Sequence, residues 1–157
     1  MRCSARERML SHMTIGKTIA AAAFLAFIAS SPSFAATSPV TIHVSLAGEG
    51  GSAMTIKLDQ STVKAGRIVF DVTNEAMSED HELVLIKLKD EKQTLPLLKD
   101  KHRVDEHKLK SLGEVADLKP GDHGTMTAML KPGAYELMCN VKGHYEAGMH
   151  TVLTVTK

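Results

Sequence analysis

Three side chains near the C-terminus combine metal-ligand chemistry with even spacing. Cys139, His144 and Met149 lie in the run Cys139-Asn140-Val141-Lys142-Gly143-His144-Tyr145-Glu146-Ala147-Gly148-Met149, a Cys-x4-His-x4-Met pattern. A thiolate and a thioether are soft donors, and imidazole serves several first-row metals, so this set points to copper. A site that cycles between Cu(I) and Cu(II) is well served by one thiolate and two imidazoles in a plane, with a weak axial thioether. The loop supplies one imidazole, and the second must come from elsewhere on the scaffold. His81 is the best candidate, because it stands at a loop-to-strand junction and opens a run that is apolar on both faces.

The remaining histidines have no ligand spacing and are read as solvated or structural. His43 alternates with Ile42 and Val44 and should face solvent, His102 and His107 fall in a charged segment, and His123 follows a Pro-Gly turn. His150 adjoins Met149 and should point to the opposite side of an extended chain, as Met138 should relative to Cys139. Met149 alone would read as core filler. Its position five residues after His144 and beside Gly148 argues for a ligand. Gly143 and Gly148 permit the tight turns that a loop needs to wrap several donors around one ion. A zinc ion also accepts a Cys-His-His set.

The elements that must position these residues read as strands. Val40, Ile42, Val44 and Leu46 alternate with polar or small residues, as do Met54, Ile56 and Leu58, and Ile68, Phe70 and Val72. The run from His81 puts Leu83 and Leu85 on one side and Val84, Ile86 and Leu88 on the other, which marks an interior strand. Strand residues follow from Gly124 to Leu130, from Ala134 to Met138 and from Thr151 to Thr156, separated by the turns Lys119-Pro120-Gly121-Asp122 and Lys131-Pro132-Gly133. About seven short strands with regular turn signals indicate an all-β, two-sheet sandwich. The segment from Lys89 to Lys119 breaks the pattern. It reads as a charged surface excursion containing one short helix between Val104 and Val115, where Val104, Leu109, Leu112 and Val115 share a face.

The N-terminus has the order of an export signal. Basic residues Arg2, Arg6, Arg8 and Lys17 precede an apolar run from Ile19 to Ala29 and small residues at Ser33 and Ala35. The apolar run is short for a membrane span, which needs about 20 residues. The expected organisation is a signal peptide over 1–35 and one domain over 36–157, placed in the periplasm or outside the cell with no membrane span after cleavage. Cleavage removes four of the 19 Lys+Arg and one of the 18 Asp+Glu, leaving 15 and 17 and a net charge of −2. That balance excludes the basic footprint of nucleic-acid binding. Cys3 leaves with the signal, so Cys139 becomes the sole thiol in an oxidising compartment. Such a thiol is buried, paired between chains or bound to a metal.

With these residues in place, the chain resembles the cupredoxins, the blue copper proteins of the plastocyanin and azurin group. The resemblance spans about Val40 to Val155 and is densest over His81-Glu82-Leu83-Val84-Leu85-Ile86 and from Lys131 to Met149. It implies a Greek-key sandwich with one type 1 copper ion held by His81, Cys139, His144 and Met149. It also implies electron transfer through the edge of His144, inside an apolar patch where a redox partner docks. Two positions depart from the family pattern. Glu82 stands where the family usually has an Asn that ties the two ligand loops, with Asn140 as a substitute tie. Lys142 stands where the loop usually has Pro before the Gly-His pair. Both bear on loop rigidity and potential.

The leading functional reading is a one-electron carrier, not an enzyme, since four protein ligands leave no open position for substrate. Its partner would be a cytochrome or membrane oxidoreductase, with the protein acting as a monomer. The alternative is an exported copper-binding, trafficking or tolerance protein that exchanges metal with a donor or acceptor. Seven histidines and six methionines after Ala35 motivate it. A structural sandwich with an accidental ligand pattern is the third reading.

Overall fold

The computed structural model describes residues 38–157. The expected signal peptide lies outside the described residues. Among the described residues, no helix is long and apolar enough to cross a membrane.

Among the described residues, eleven strands follow one another in the order β1 (Val40–Ala47), β2 (Thr55–Leu58), β3 (Thr62–Lys64), β4 (Gly66–Asn74), β5 (His81–Lys87), β6 (Leu97–Leu98), β7 (Arg103–Val104), β8 (Ser111–Leu118), β9 (His123–Leu130), β10 (Gly133–Met138) and β11 (His150–Thr156). They form a four-stranded sheet ordered β2-β1-β4-β9 and a five-stranded sheet ordered β3-β11-β10-β5-β8, with β6 and β7 as a small separate hairpin. The chain passes repeatedly from one sheet to the other, which makes a Greek-key sandwich. Two pairings are parallel, β1 with β4 and β11 with β3.

Alternation in the sequence becomes the inter-sheet core. Ile42, Val44, Leu46, Ile68, Phe70 and Val72 from one sheet meet Leu83, Leu85, Tyr135, Leu137 and Leu153 from the other. Strand β5 is buried on both faces, as its composition requires. Leu83 and Leu85 join the inter-sheet core, while Val84, Ile86 and Leu88 join a second cluster on the outer side with Leu95, Val104, Ala134 and Met138. The charged excursion covers that outer face.

The helix expected between Val104 and Val115 does not form. Glu106–Lys108 makes a single 3₁₀ turn, and Leu109 is already extended at φ −120° and ψ 159°. Its four apolar residues serve two cores rather than one helix face. Val104 and Leu109 pack in the outer cluster, whereas Leu112 and Val115 pack against the inter-sheet core. The excursion is therefore shorter than 89–119, because its last part, Ser111–Leu118, is the sheet strand beside β5. That pairing slips register between His81 and Leu83. Such an irregularity bends a strand and re-aims its side chains, here at the first residue of β5.

Candidate metal centre

Register brings the candidate ligands together. Strands β10 and β5 pair antiparallel with Met138 opposite Val84 and Leu137 opposite Leu85. Continuing that register places Asn140 beside Glu82 and the end of β10 beside the start of β5. Tyr135, Leu137 and Cys139 face the inter-sheet core, while Ala134 and Met138 face the outer cluster. Cys139 and His81 thus point into the same end of the sandwich, and Met138 faces away as expected.

The loop after β10 returns a third donor to that point. Cys139 N–H donates to the Met149 carbonyl (3.0 Å), Met149 N–H to the His144 carbonyl (3.0 Å) and His144 N–H to the Val141 carbonyl (3.0 Å). These bonds fold the loop into consecutive turns. Gly143 sits at φ +85° within them, a conformation that costs glycine little. Met149 is fully buried in the inter-sheet core along with Cys139.

Donor atoms of His81, Cys139 and His144 lie within 4.8 Å of one another, and all three residues are buried. His81 Nδ1 is 3.3 Å from His144 Nδ1, and Cys139 Sγ is 3.5 Å from His144 Nδ1. The two imidazoles meet edge to face at 5.1 Å and 68°. Nitrogen and sulfur donors each about 2.0–2.3 Å from a shared ion lie about 3–4 Å from each other, so these residues fit one metal. Among the described residues this is the only such cluster of three.

The electrostatics also suit a cation. Burial pushes the Cys139 thiol up to about 11. Burial lowers both His81 and His144, so each imidazole stays neutral with a lone pair to give. A thiol that resists ionisation beside two neutral imidazoles becomes a good donor set once a metal replaces the thiol proton. His144 is 6% exposed against 0% for His81, so it is the imidazole nearer the surface.

A family profile described as copper binding proteins of the plastocyanin/azurin family matches residues 42–156. The chain belongs to that family. Its cofactor is one copper ion, in keeping with the donor cluster. Solved cupredoxins are similar in fold. Reduced auracyanin from the photosynthetic bacterium Roseiflexus castenholzii is 21% identical, with a TM-score of 0.53, over 78% of this chain and 99% of that one. Auracyanin A from Chloroflexus aurantiacus, described as a blue copper protein, is 19% identical, with a TM-score of 0.56, over 76% of this chain and 100% of that one. Rusticyanin from Thiobacillus ferrooxidans is 15% identical, with a TM-score of 0.55, over 75% of this chain and 77% of that one. No curated protein matches the chain.

Within this cupredoxin, the first departure from the family pattern, Glu82, has a structural explanation. Glu82 Oε1 accepts the Asn140 N–H at 3.0 Å, so a carboxylate joins the strand of the first histidine to the loop of the cysteine. Burial holds the Glu82 carboxyl above its ordinary range. Asn140 is itself buried, and its side chain bonds to the excursion rather than to the His81 loop. Lys142 is exposed on the loop, next to Gly143. Of the other histidines, His43 pairs with Asp71, His102 with Glu146 and His150 with Glu136, while His123 bonds Thr73. His107 is exposed. Among the described residues, none of these joins the donor cluster.

Several supporting residues carry no signal in the sequence. The Gly48 carbonyl lies 3.3 Å from His81 Nε2. Only glycine fits there, since φ is +136° and a Cβ would meet Met54 Sδ at 2.6 Å. Asn74 is fully buried and holds the loop before His81. Its amide donates to the Glu79 and Leu118 carbonyls and its Oδ1 accepts from Ala76 N–H, all at 2.9 Å. Glu49 accepts hydrogen bonds from Met77 N–H, Ser78 N–H and the Ser78 hydroxyl of that loop. A strand-ending Asn before a histidine-led strand is the one hint the sequence offers of this arrangement.

Proposed function

We propose that the chain is an exported one-electron carrier in which His81, Cys139, His144 and Met149 hold the copper ion. The observation that carries this reading is the buried convergence of His81 Nδ1, Cys139 Sγ and His144 Nδ1. Bound copper supplies a couple that gains or loses one electron. Cys139 would give the thiolate, His81 and His144 neutral imidazoles, and Met149, buried at the end of the loop, a weak thioether. Main-chain bonds and the Glu82–Asn140 tie fix the donors and limit their movement when the charge of the site changes. The sandwich excludes water from Cys139 and His81. His144, nearest the surface, is the edge through which the electron leaves.

Four protein donors leave no place for a substrate, which supports a carrier rather than an enzyme. The leader-like order of residues 1–35 supports export to the periplasm or beyond. The partner would be a redox protein, a cytochrome or a membrane oxidoreductase, meeting a monomeric carrier at the His144 edge. Cu(II) loading of the purified protein is expected to give an intense thiolate-to-copper band that Cys139→Ser abolishes. Reversible one-electron cycling with fast self-exchange is expected as well. Rapid release of copper to an acceptor, with sluggish self-exchange, would instead identify a copper-handling protein.

A further inference from the structure

The segment from Leu95 to Lys108 crosses the outer face of the five-stranded sheet and ends against the Cys139–His144 arc. Leu95 and Val104 anchor it in the outer cluster, where Tyr145 of the ligand loop also packs. Asn140 is 3% exposed, and all three hydrogen bonds of its side chain go to this segment. Its Oδ1 accepts Val104 N–H at 2.7 Å, and its Nδ2 donates to the Val104 carbonyl at 3.1 Å and to Glu106 Oε1 at 2.6 Å. Further along, Gly143 N–H donates to the His102 carbonyl at 2.8 Å, and the His102 ring meets Glu146 at 2.8 Å. His102 holds φ +51° at that point, a left-handed conformation that few non-glycine residues adopt. Unusual backbone persists where the surroundings over-determine it.

Asn140 follows Cys139 directly. Its main-chain N–H is held by Glu82, the neighbour of His81, and its side chain by the crossing segment. We propose that Asn140 is a positioning residue and that Leu95–Lys108 is a brace, which together hold the Cys139–His144 arc in metal-binding shape before copper arrives. This rests on the copper reading above. The brace acts through bonds rather than charge. A buried side-chain amide paired with main-chain groups on both sides has one satisfied geometry and transmits it to the adjacent cysteine. Its removal leaves the arc held only by the Asn140 N–H bond to Glu82 and by its own turns.

The test uses the full mature chain and the variants Asn140→Ala, Glu106→Ala and Glu106→Gln, read with and without copper. Asn140→Ala is expected to bind copper about 10–100-fold more weakly and to shift the thiolate-to-copper band. Glu106→Ala should shift both in the same direction by less. Glu106→Gln should behave as wild type, because its amide oxygen still accepts the Asn140 bond. In the metal-free protein, the amide hydrogens of Val104 and Gly143 should exchange faster in both alanine variants and not in Glu106→Gln. The brace is overturned if the alanine variants lower only the melting temperature and leave spectrum, affinity and amide protection unchanged. It is equally overturned if Glu106→Ala and Glu106→Gln behave alike, since charge would then be the cause. If Asn140→Ala does not fold, the Glu106 pair decides. A wild-type protein with no thiolate-to-copper band would sink the copper reading. A normal wild-type band with variants indistinguishable from it would sink the brace alone.

Discussion

Met149, as the proposed fourth donor, is the ligand whose chemistry is most open to adjustment. A thioether is soft and favours Cu(I), and an amide oxygen is harder and favours Cu(II). Met149→Gln is therefore expected to lower the midpoint potential and Met149→Leu to raise it, read by potentiometric titration. Each tenfold change in the relative affinity for the two oxidation states appears as about 59 mV. Glu82 offers a second test at this scale. Glu82→Ala strips the Asn140 N–H of its acceptor. It is expected to cost about 1–3 kcal/mol in chemical denaturation, and Glu82→Gln less, because an acceptor remains. Glu136 gives a pH signature. It is buried beneath Tyr145 and His150, with Tyr145 Oη at 3.2 Å and His150 Nδ1 at 3.0 Å. Burial raises its carboxyl above the ordinary 4.5, while His150 and the Tyr145 bond pull it back. A raised folded value means that the folded protein binds this proton more tightly than the unfolded chain does. The contribution of Glu136 is then fully present below the unfolded value and is lost as pH rises through the folded one. The stability of Glu136→Gln relative to wild type should therefore increase as pH rises from the acid side to neutrality. Denaturation curves of both proteins across that range provide the comparison.

At the scale of elements, strand β8 is the part the sequence hides. Strands β1 and β4 are legible because their apolar residues alternate strictly and burial follows, and β5 and β10 because apolar residues occupy both faces, with Glu136 a buried polar exception. Leu109, Leu112 and Val115 instead mimic a helix stripe while belonging to two cores on opposite sides of the five-stranded sheet. Which core each residue joins depends on the distant strand β5, and local spacing cannot report that. The donor cluster shows the same division. Cys139 and His144, with the proposed donor Met149, are legible because they lie on one short loop, and His81 because it heads a doubly apolar strand. Gly48, Asn74 and the Val104–Asn140 bonds reach across 33, 44 and 36 positions and have no local pattern. Where β8 passes onto β9, the sheets approach closely. A Cβ on Gly124 would lie 2.3 Å from Val115 Cγ1 and 3.2 Å from Leu118 Cδ2. Gly124→Ala is expected to destabilise the fold by about 1–3 kcal/mol through overpacking, read as a lowered unfolding midpoint of the metal-free protein.

For the whole molecule, the sandwich is a frame that brings His81 from a strand to Cys139 and His144 on the loop, and bound copper would complete it. Binding to the folded state alone adds stability by mass action, about 4 kcal/mol at free copper a thousandfold above the dissociation constant. Copper should therefore raise the unfolding midpoint measured at fixed free metal, and Cys139→Ser should remove most of that gain. Copper K-edge X-ray absorption on the loaded protein examines the site most directly. The inner shell is expected to hold one sulfur and two imidazole nitrogens at about 2.0–2.3 Å, with the sulfur lost in Cys139→Ser. A shell of nitrogen and oxygen donors without sulfur would contradict the assignment of Cys139, His81 and His144 to a single copper ion.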